Sequence, residues 1–363
     1  MHRLRGAGVC LIVIGLISAA CGGGSGGGGG TTTGATTGST TGSTTGSTTG
    51  ATTGATSAPV EPADVTVFLG FTPDGLYAPV YVAKQLGYFD DEKLNVTIAP
   101  GTGSNSAVKV VGAGRAQFGF ADALSMSHGV AGGAPLKMVA VELREPPAAT
   151  VVLKTSGIKS IKDLKDKTIG DSEDSAQVPI LPCLLQANGL TMNDIKFVNL
   201  GFPEQVPALL SGKVDALEGY GYFYGNLADK VNLLPWSQYG LDYYSEGIFV
   251  NTDYLNDNPD VVRRFLTAFV KGFKYELDNP DQAAHLLAVG ANSLKSEDFF
   301  NYEIHTLAPM LVDADEQANG LGHMAADKWQ STVDTLKCGG VADPPAPDSL
   351  YTNDYLPQPP VKP

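Results

Sequence analysis

The 363-residue chain is poor in cysteine, in histidine and in basic side chains, and each shortage excludes a class of protein. Four Cys are too few for a disulfide-dense scaffold, and five scattered His offer no metal-ligand spacing. Lys and Arg number 24 against 38 acidic residues and form no cluster, so we expect no nucleic-acid partner. Beyond residue 20, no apolar run reaches the roughly 18 residues of a membrane-spanning helix.

Common catalytic and nucleotide-binding motifs are also missing. The sequence has no H-E-x-x-H or C-x-x-C motif, no recognisable Ser-His-Asp pattern and no Walker phosphate loop. We therefore expect no catalytic residues, no metal site and no cofactor in this chain.

Residues 1–20 have the pattern of a signal peptide. Arg3 and Arg5 give a positive start, and Val9–Ile17 is an apolar stretch too short to span a bilayer. The next four residues, SAAC, end at Cys21 and resemble a bacterial lipobox in which Ser18 replaces the usual Leu. We predict that Cys21 is acylated and anchors an extracytoplasmic protein to the bacterial cell membrane. An ordinary secretory signal is the alternative.

Residues 21–62 form a predicted tether, because nearly every residue up to 58 is Gly, Thr, Ser or Ala. Such a composition gives a flexible coil, and about 36 residues reach roughly 30–35 Å. This reach would hold a folded receptor near a membrane while it tumbles. At the other end, residues 346–363 are rich in Pro and are predicted either to wrap the surface or to fray.

Between these ends, strand and helix patterns alternate, which predicts an α/β fold with mostly parallel sheets. Val65–Gly70 has the pattern of a buried strand, and Ala78–Leu86 that of an amphipathic helix. Ser175–Asn188 is predicted to be a helix with Pro179 and Pro182 near its start.

The alternation restarts near residue 148, which predicts two lobes. One lobe comprises 63–147 plus 248–345, and the other comprises 148–247. The chain would cross between them at 147–151 and 246–250, which makes a two-stranded hinge. A cleft between such lobes is the default place for a small ligand.

Six short motifs along residues 64–335 resemble those of one family. The most specific is LGYFDDEKLNVTI, which resembles the signature LGYF-x-x-E-G-L-x-V except that Lys93 replaces the Gly. The other five are GTGSNSAVKVV at 101–111, GRAQFGFAD at 114–122, SIKDLKDKTIG at 160–170, LSGKVDA at 210–216 and NPDVVRRFL at 258–266. Together they are similar to solute-binding proteins of the sulfonate, nitrate, taurine and thiamine-pyrimidine group, the NMT1/THI5-like family.

The resemblance implies a periplasmic-binding-protein type II fold and a monomeric receptor of an ABC importer. Ligand would enter between open lobes, and closure would follow because only the closed state makes both sets of contacts. A membrane permease with a separate ATPase subunit would then receive the ligand. A sensing role beside a surface receptor is the alternative to import.

Ligand contacts are expected from loops at the carboxyl ends of strands. The candidates are Phe71, Asp74, Tyr77, Ser104, Asn105, Asp122, Asp171, Ser172, Ser175, Glu218, Tyr220 and Tyr222. Three of them have a purely structural alternative: Asp74 as a turn residue, and Ser104 and Asp122 as helix caps. Phe223, in the same aromatic run as the two last tyrosines, is predicted to belong to the core.

The candidate loops offer carboxylates, hydroxyls and aromatic rings but no Lys or Arg. This balance favours a neutral or weakly cationic planar nitrogen heterocycle: a pyrimidine, a thiamine precursor or a flavin such as riboflavin. The alternative is a small anion bound by backbone amides, such as a sulfonate, taurine, nitrate or an aromatic carboxylate. A pyrimidine-synthase role is a third alternative, and the resemblance implies that it requires a Lys where Ala121 stands.

Two cysteines, Cys183 and Cys338, remain in the predicted mature chain and are expected in different lobes. An oxidising compartment permits a disulfide between them, and buried free thiols are the alternative.

Overall fold

The computed structural model describes residues 60–363. The predicted signal peptide, the predicted lipidation at Cys21 and most of the predicted tether lie outside the described residues. Within residues 60–363, no helix combines the length and the apolar character needed to cross a membrane.

Ten strands form two five-stranded sheets. The strands are β1 (Ala63–Leu69), β2 (Leu94–Ala99), β3 (Phe118–Asp122), β4 (Leu136–Val141), β5 (Ala148–Leu153), β6 (Thr168–Asp171), β7 (Lys196–Asn199), β8 (Ala216–Tyr220), β9 (Val231–Pro235) and β10 (Glu246–Asn251). The first sheet has the order β2-β1-β3-β10-β4, and the second has the order β7-β6-β8-β5-β9. We call the part built on the first sheet lobe 1 and the part built on the second sheet lobe 2.

One strand of each sheet runs against the other four. β10 pairs antiparallel with β3 and β4, and β5 pairs antiparallel with β8 and β9. The remaining pairs are parallel. Both sheets are therefore mixed, and the antiparallel strand is the one on which the chain enters the sheet after crossing between lobes.

The chain crosses between the lobes at 142–147 and 240–245, before the predicted positions 147–151 and 246–250. Those predicted positions were wrong because they lie largely inside β5 and β10, whose residues pair within the sheets. The predicted boundary residues of the two lobes stay predictions.

Thirteen helices are described around the sheets. They are α1 (Ala78–Gln85), α2 (Tyr88–Asp91), α3 (Ser104–Gly112), α4 (Ala123–Ala131), α5 (Leu181–Ala187), α6 (Phe202–Leu210), α7 (Thr252–Asp257), α8 (Pro259–Asp278), α9 (Pro280–Ala291), α10 (Glu297–Leu307), α11 (Ala314–Asn319), α12 (Ala326–Cys338) and α13 (Pro347–Leu350). Short 3-10 turns are Gly75–Tyr77, Ile161–Leu164, Val178–Ile180, Met192–Asp194, Gly221–Leu227, Trp236–Tyr239 and Ala308–Met310.

Helix α8 shows how the sequence builds the core of lobe 1. Pro259 occupies its first turn, where the missing N–H has no helical partner to lose. Val262, Phe265 and Phe269 follow at intervals of three and four and are fully buried. The ring of Phe265 stacks on Phe118 of β3 with 3.9 Å between centroids, which fixes α8 against the first sheet.

The C-terminal segment wraps the surface of lobe 1. Leu350 of α13 is fully buried, and Tyr351 forms a bridge with Met138 of β4. Tyr351 also stacks on Trp329 of α12, with 5.3 Å between ring centroids. Apolar side chains therefore fasten this Pro-rich segment.

Cys183 of α5 and Cys338 at the end of α12 form a disulfide, so the free-thiol alternative is wrong. Helix α5 belongs to lobe 2, whereas α12 packs against α4 of lobe 1 as well as against α5. The backbone N–H of Tyr244, in the second crossing, donates to the Thr332 hydroxyl of α12 at 3.0 Å. The disulfide therefore joins the lobes beside that crossing.

Candidate functional site: a cavity between the lobes

A cavity lies between the lobes, and its space, including the part open to solvent, amounts to about 630 Å³. Its walls follow the carboxyl ends of parallel strands in both sheets, as expected for this strand arrangement. The lining residues from lobe 1 are Gly70, Phe71, Asp74, Tyr77, Thr102, Gly103, Ser104 and Glu246. Those from lobe 2 are Asp171, Ser172, Ser175, Ala176, Gln177, Phe202, Gln205, Glu218, Gly219, Tyr220, Tyr222, Phe223 and Tyr224.

Ten of the twelve candidate residues line this one cavity. They are Phe71, Asp74, Tyr77, Ser104, Asp171, Ser172, Ser175, Glu218, Tyr220 and Tyr222. Asn105 and Asp122 do not line it. The fold thus brings residues from distant segments together, and their contact with a ligand stays a prediction.

Asn105 and Asp122 are held by other parts of the protein. The Asn105 side-chain amide donates to the carbonyl oxygen of Ser175 across the lobes, at 3.3 Å. Asp122 caps α4, where its Oδ1 accepts from the backbone N–H of Ser125 at 2.7 Å. Asp122 is therefore a helix cap, which is the structural alternative predicted for it. Burial raises the pKa of its carboxyl to about 7.

Ser104 is the first residue of α3, and Gly103 is the N-cap. The plain N-cap alternative for Ser104 is therefore wrong by one residue. Its hydroxyl lies at the cavity beside β3, where it accepts from the backbone N–H of Asp122 at 3.4 Å. Gly70 packs closely against the neighbouring strand β3, because a Cβ added to Gly70 would lie 2.9 Å from the Cβ of Ala121.

Asp74 has the turn role predicted as its structural alternative, and it also lines the cavity. Its Oδ1 accepts from the backbone N–H of Leu76 at 3.0 Å and begins the turn Gly75–Tyr77, while its Oδ2 has no partner. The side chain is fully buried. Burial raises the pKa of Asp74 to about 8, against the opposing charge of Lys295 and with the carboxyl of Glu303 adding to the increase.

Glu218 and Glu246 repeat this arrangement on other walls. Oε2 of Glu218 accepts from Thr150 Oγ1 at 2.6 Å and from Trp236 Nε1 at 3.2 Å, while its Oε1 has no partner. Oε1 of Glu246 accepts from the hydroxyl of Tyr220 at 2.6 Å, while its Oε2 has no partner. Burial raises the pKa of both carboxyls well above the usual range.

Asp171 differs because its own loop uses both of its oxygens. Oδ1 accepts from the N–H of Ser172 at 2.7 Å and from Gln205 Nε2 at 3.3 Å, and Oδ2 accepts from the Ser175 hydroxyl at 2.6 Å. Burial raises the pKa of Asp171 to about 7 against these hydrogen bonds. The neighbouring Asp174 lines a separate groove, so only some of the acidic side chains of this loop lie at the cavity.

Three phenylalanines meet across the lobes at the cavity. The Phe71 ring of lobe 1 lies 4.9 Å from that of Phe202 and 5.7 Å from that of Phe223, between centroids. Phe223 is half-buried: it packs against the core, as predicted, and it also lines the cavity. Its contact with Phe71 of the other lobe cannot be recognised from the sequence around residue 223. The Lys295 ammonium lies 5.5 Å from the Phe223 ring centroid.

The two lobes touch beside the cavity. A Cβ added to Gly103 would lie 2.3 Å from the carbonyl oxygen of Asp174 in lobe 2. Lys109 Nζ of lobe 1 and Asp174 Oδ1 form an ion pair at 3.4 Å. These contacts define a closed arrangement of the lobes.

Several lining residues were missed by the sequence analysis. They are Gly70, Thr102, Gly103, Ala176, Gln177, Phe202, Gln205, Gly219, Tyr224 and Glu246. Gly103 and Gln177 adjoin predicted segments and could have been found by extending them. Glu246 has no local signal, because it begins the strand that returns to lobe 1 and reaches the cavity only through the crossing.

The cavity is acidic and aromatic. Among the described residues that line it, none is Lys, Arg or His. Within residues 60–363, no three His, Cys, Asp or Glu side chains are grouped so as to hold a metal ion. The Tyr222 hydroxyl and Gln177 Nε2 are buried without partners, in addition to the three carboxyl oxygens.

Comparison with known sequences identifies the family. A family model described as NMT1/THI5 like matches residues 76–283, which is more than half of the chain. The chain belongs to the NMT1/THI5-like family. The matched span of this NMT1/THI5-like protein includes Tyr77 and every lining residue from lobe 2.

Relatives of this NMT1/THI5-like protein include both binding proteins and synthases. The formylaminopyrimidine-binding protein of Halalkalibacterium halodurans is 24% identical, over 75% of this chain and 84% of that protein. The riboflavin-binding protein RibY of Chloroflexus aurantiacus is 24% identical, over 81% and 86%. A 4-amino-5-hydroxymethyl-2-methylpyrimidine phosphate synthase of Legionella pneumophila is 23% identical, over 82% and 93%.

Solved structures show the fold of the NMT1/THI5-like protein. The alkanesulfonate-binding protein SsuA from Xanthomonas axonopodis pv. citri, bound to MOPS, superposes with a TM-score of 0.64. Its sequence is 16% identical, and the match covers 81% of this chain and 99% of that one. The protein thus has the periplasmic-binding-protein type II fold that the sequence predicts, with two lobes and two crossings.

Proposed function

We propose that this protein is the solute-binding component of an ABC importer and captures a planar nitrogen heterocycle between its lobes. The observation that carries the proposal is the composition of the cavity wall. Among the residues that the structure describes, this wall has aromatic rings and unpaired carboxyl oxygens but no cationic side chain. A ring with N–H groups matches both features.

The aromatic side chains supply the flat surfaces for such a ligand. The rings of Phe71 and Phe223 contact each other across the lobes, tilted and with 5.7 Å between centroids, and the rings of Tyr220 and Tyr222 lie 5.9 Å apart between centroids. Offset stacking adds about 0.5–1.5 kcal/mol per pair beyond the burial of the rings. A planar ring between the lobes would therefore stabilise the closed arrangement.

Relatives support a heterocyclic ligand. The names of two of them specify binding of a formylaminopyrimidine and of riboflavin, which are both planar nitrogen heterocycles. We propose a pyrimidine, a thiamine precursor or a flavin as the ligand of this chain.

We propose a binding protein and not an enzyme, although a relative is named as a pyrimidine phosphate synthase. The resemblance implies that the synthase chemistry requires a Lys, and this chain has the buried Ala121 at that position. The described cavity wall also lacks a His or Lys that could transfer a proton or form a Schiff base.

We also propose a route of delivery that uses the two lobes. Ligand bound in the open form would draw the lobes together, and the closed form would dock on a membrane permease driven by a separate ATPase. Acylation of Cys21 and the Gly/Thr-rich tether would keep the protein at the extracytoplasmic surface, close to that permease. These steps are part of the proposal.

The test is to identify and then titrate the ligand. Small molecules released by denaturing the purified protein are analysed by mass spectrometry and by their visible spectrum. Calorimetry then compares 4-amino-5-hydroxymethyl-2-methylpyrimidine and riboflavin with taurine and MOPS. We expect a heterocycle to bind at micromolar affinity or better, and neither anion to bind. Binding of an anion alone would overturn the proposal.

A pair of variants tests the aromatic wall. Phe223→Leu removes a ring that lines the cavity and should weaken heterocycle binding by about 2- to 12-fold. Phe299→Leu removes a ring that does not line the cavity and is the matched control. Equal effects of the two substitutions would show that ring stacking in the cavity is not part of binding.

A further inference from the structure

Three carboxyls at the cavity share one arrangement. Asp74, Glu218 and Glu246 each have one oxygen fixed by a protein donor and the other without a partner. Their side chains are at most 1% exposed. Buried polar atoms in folded proteins nearly always have a partner, so unpaired oxygens on three acids that line one cavity from both lobes indicate positions for donors of a ligand.

The fixed oxygens orient the free ones. The Leu76 N–H holds Asp74, Thr150 and Trp236 hold Glu218, and Tyr220 holds Glu246. An acceptor that is already oriented loses little entropy when a ligand binds. Together, the three groups present fixed acceptors from both lobes and would be satisfied together only when the lobes are closed.

Their surroundings do not neutralise them. Lys295 is the cation that faces Asp74, but it also pairs with Glu303 Oε1 at 3.1 Å. Glu246 faces the carboxyls of Asp122 and Asp74 and the hydroxyl of Tyr220.

Glu218 faces another acid, Asp171, together with Thr150 and Trp236. The described groups around the cavity therefore leave an excess of negative charge whenever the carboxyls are ionised.

We propose that the bound ligand is a cation: a planar nitrogen heterocycle bearing an ammonium group or a protonated ring nitrogen. Its N–H groups donate to the unpaired oxygens of Asp74, Glu218 and Glu246. This inference rests on the proposed function as a heterocycle receptor and adds the charge of its ligand. A cation supplies both the donors and the compensating charge that the wall lacks.

Charge also sets the pH dependence. Burial raises the pKa of all three carboxyls, to about 8 for Asp74, because it disfavours their charged form. A bound cation favours their ionised form, so binding releases protons and strengthens as pH rises. A neutral ligand that accepts hydrogen bonds from protonated carboxyls would show the opposite dependence.

A matched pair of ligands tests the charge. The probes are 4-amino-5-aminomethyl-2-methylpyrimidine, which carries an ammonium at neutral pH, and its 5-hydroxymethyl analogue, which does not. Calorimetry at pH 5, 6, 7 and 8 in two buffers of different ionisation enthalpy gives both the affinity and the number of protons released. We expect the ammonium ligand to bind at least tenfold more tightly at pH 8, with proton release, and to lose most of this advantage at pH 5.

Each other outcome has a distinct meaning. If both pyrimidines bind equally, or if binding strengthens as pH falls, the cationic ligand is ruled out while the heterocycle receptor stands. If neither pyrimidine nor riboflavin binds and taurine does, the proposed function fails together with this inference.

Two variants test whether a carboxylate at the cavity is responsible for the preference for the ammonium ligand. Glu246→Gln keeps the shape and the acceptor for Tyr220 but removes the charge, and should reduce the preference for the ammonium ligand at least fivefold. Glu204→Gln removes an exposed charge of α6 that does not line the cavity and should leave the preference unchanged. If Glu246→Gln fails to fold, the pH series on the unaltered protein decides alone.

Discussion

The loops 70–77 and 171–177 begin at corresponding places in the two lobes, yet they use their acids differently. Each follows the carboxyl end of a parallel strand, and each places a buried Asp at the cavity. Asp171 gives both oxygens to donors of Ser172, Ser175 and Gln205. Asp74 gives one oxygen to its own turn and leaves the other unpaired.

The difference separates structural acids from available ones. Both Asp side chains are almost fully buried, so burial does not distinguish them. What distinguishes them is whether their hydrogen-bonding capacity is already filled by the protein. The acid of the lobe 2 loop has both oxygens occupied within the protein, and the acid of the lobe 1 loop has an acceptor to offer.

The largest expected effect comes from separating the loops of the two lobes. Gly103→Ala places a methyl group 2.3 Å from the Asp174 carbonyl oxygen, where only backbone movement can make room. The closed arrangement should become inaccessible, and ligand affinity should fall about 100-fold or more, since contacts from one lobe are lost. Calorimetry measures the affinity, and small-angle scattering the extent of closure.

Gly201→Ala is the matched control, because a Cβ there meets only Pro203 Cδ at 3.9 Å. A Gly103→Ala protein that closes and binds normally would show that the lobes do not meet at this contact in solution.

Replacing Asp by Asn should affect ligand affinity and stability differently in the two loops. Asp74→Asn removes an ionisable group that has a free oxygen, so ligand affinity should fall about 10- to 100-fold, while the free energy of unfolding at about pH 4, below the pH window in which this acid titrates in the folded protein, should change little. Asp171→Asn disturbs a filled set of hydrogen bonds, so stability should fall by about 1–3 kcal/mol with a smaller loss of affinity. Calorimetry and urea unfolding of both variants check this, and equal profiles would remove the distinction between the loops.

The same two acids, Asp74 and Asp171, should make the stability of the protein depend on pH. Their pKa values are raised to about 8 for Asp74 and about 7 for Asp171, so the folded protein holds protons that the unfolded chain releases near pH 4. The free energy of unfolding of the ligand-free protein should therefore decrease as pH rises from about 4 to 8.

Urea unfolding at intervals of one pH unit measures this slope. Asp74→Asn should remove the part nearest pH 8, and Asp171→Asn the part that ends near pH 7. A stability that is flat or increases across this window would contradict the assignment of buried, protonated acids.

The smallest effect is expected at the exposed rim. The side chains of Lys109 and Asp174 are 74% and 46% exposed, so their ion pair across the lobes is open to solvent and salt. Lys109→Ala should change ligand affinity by less than about 1 kcal/mol, and only at low salt. A large loss that persists in high salt would show that closure depends on the rim more than on Gly103 and the aromatic rings.

The sequence predicted the local structure best where local pattern decides it. The strand predicted at Val65–Gly70 is present as β1 (Ala63–Leu69), and the helix predicted at Ala78–Leu86 is present as α1 (Ala78–Gln85). The helix predicted at Ser175–Asn188 instead starts as a 3-10 turn at Val178 and becomes α5 at Leu181, because Pro179 and Pro182 interrupt the ladder of N–H donors. β9 was not predicted, since a short edge strand needs its neighbour β5 to be recognised.

The site was predictable to the extent that strand ends are. Asp74 lies in the loop that follows the predicted strand Val65–Gly70, and parallel strands gather their carboxyl ends at one edge. Glu246 and Phe223 were not predictable in this way, because their places depend on the crossing and on a partner in the other lobe. Which oxygen of an acid is unpaired is likewise a property of the packed structure alone.

The disulfide between Cys183 and Cys338, with its Cα atoms 5.4 Å apart, limits the ways in which the two halves can move. Two peptide connections alone leave a pair of rigid bodies free both to swing and to twist. A third fastening beside one of them removes the twist and leaves a single principal axis of rotation. An opening of the lobes would then part Phe71 from Phe202 mainly along one direction.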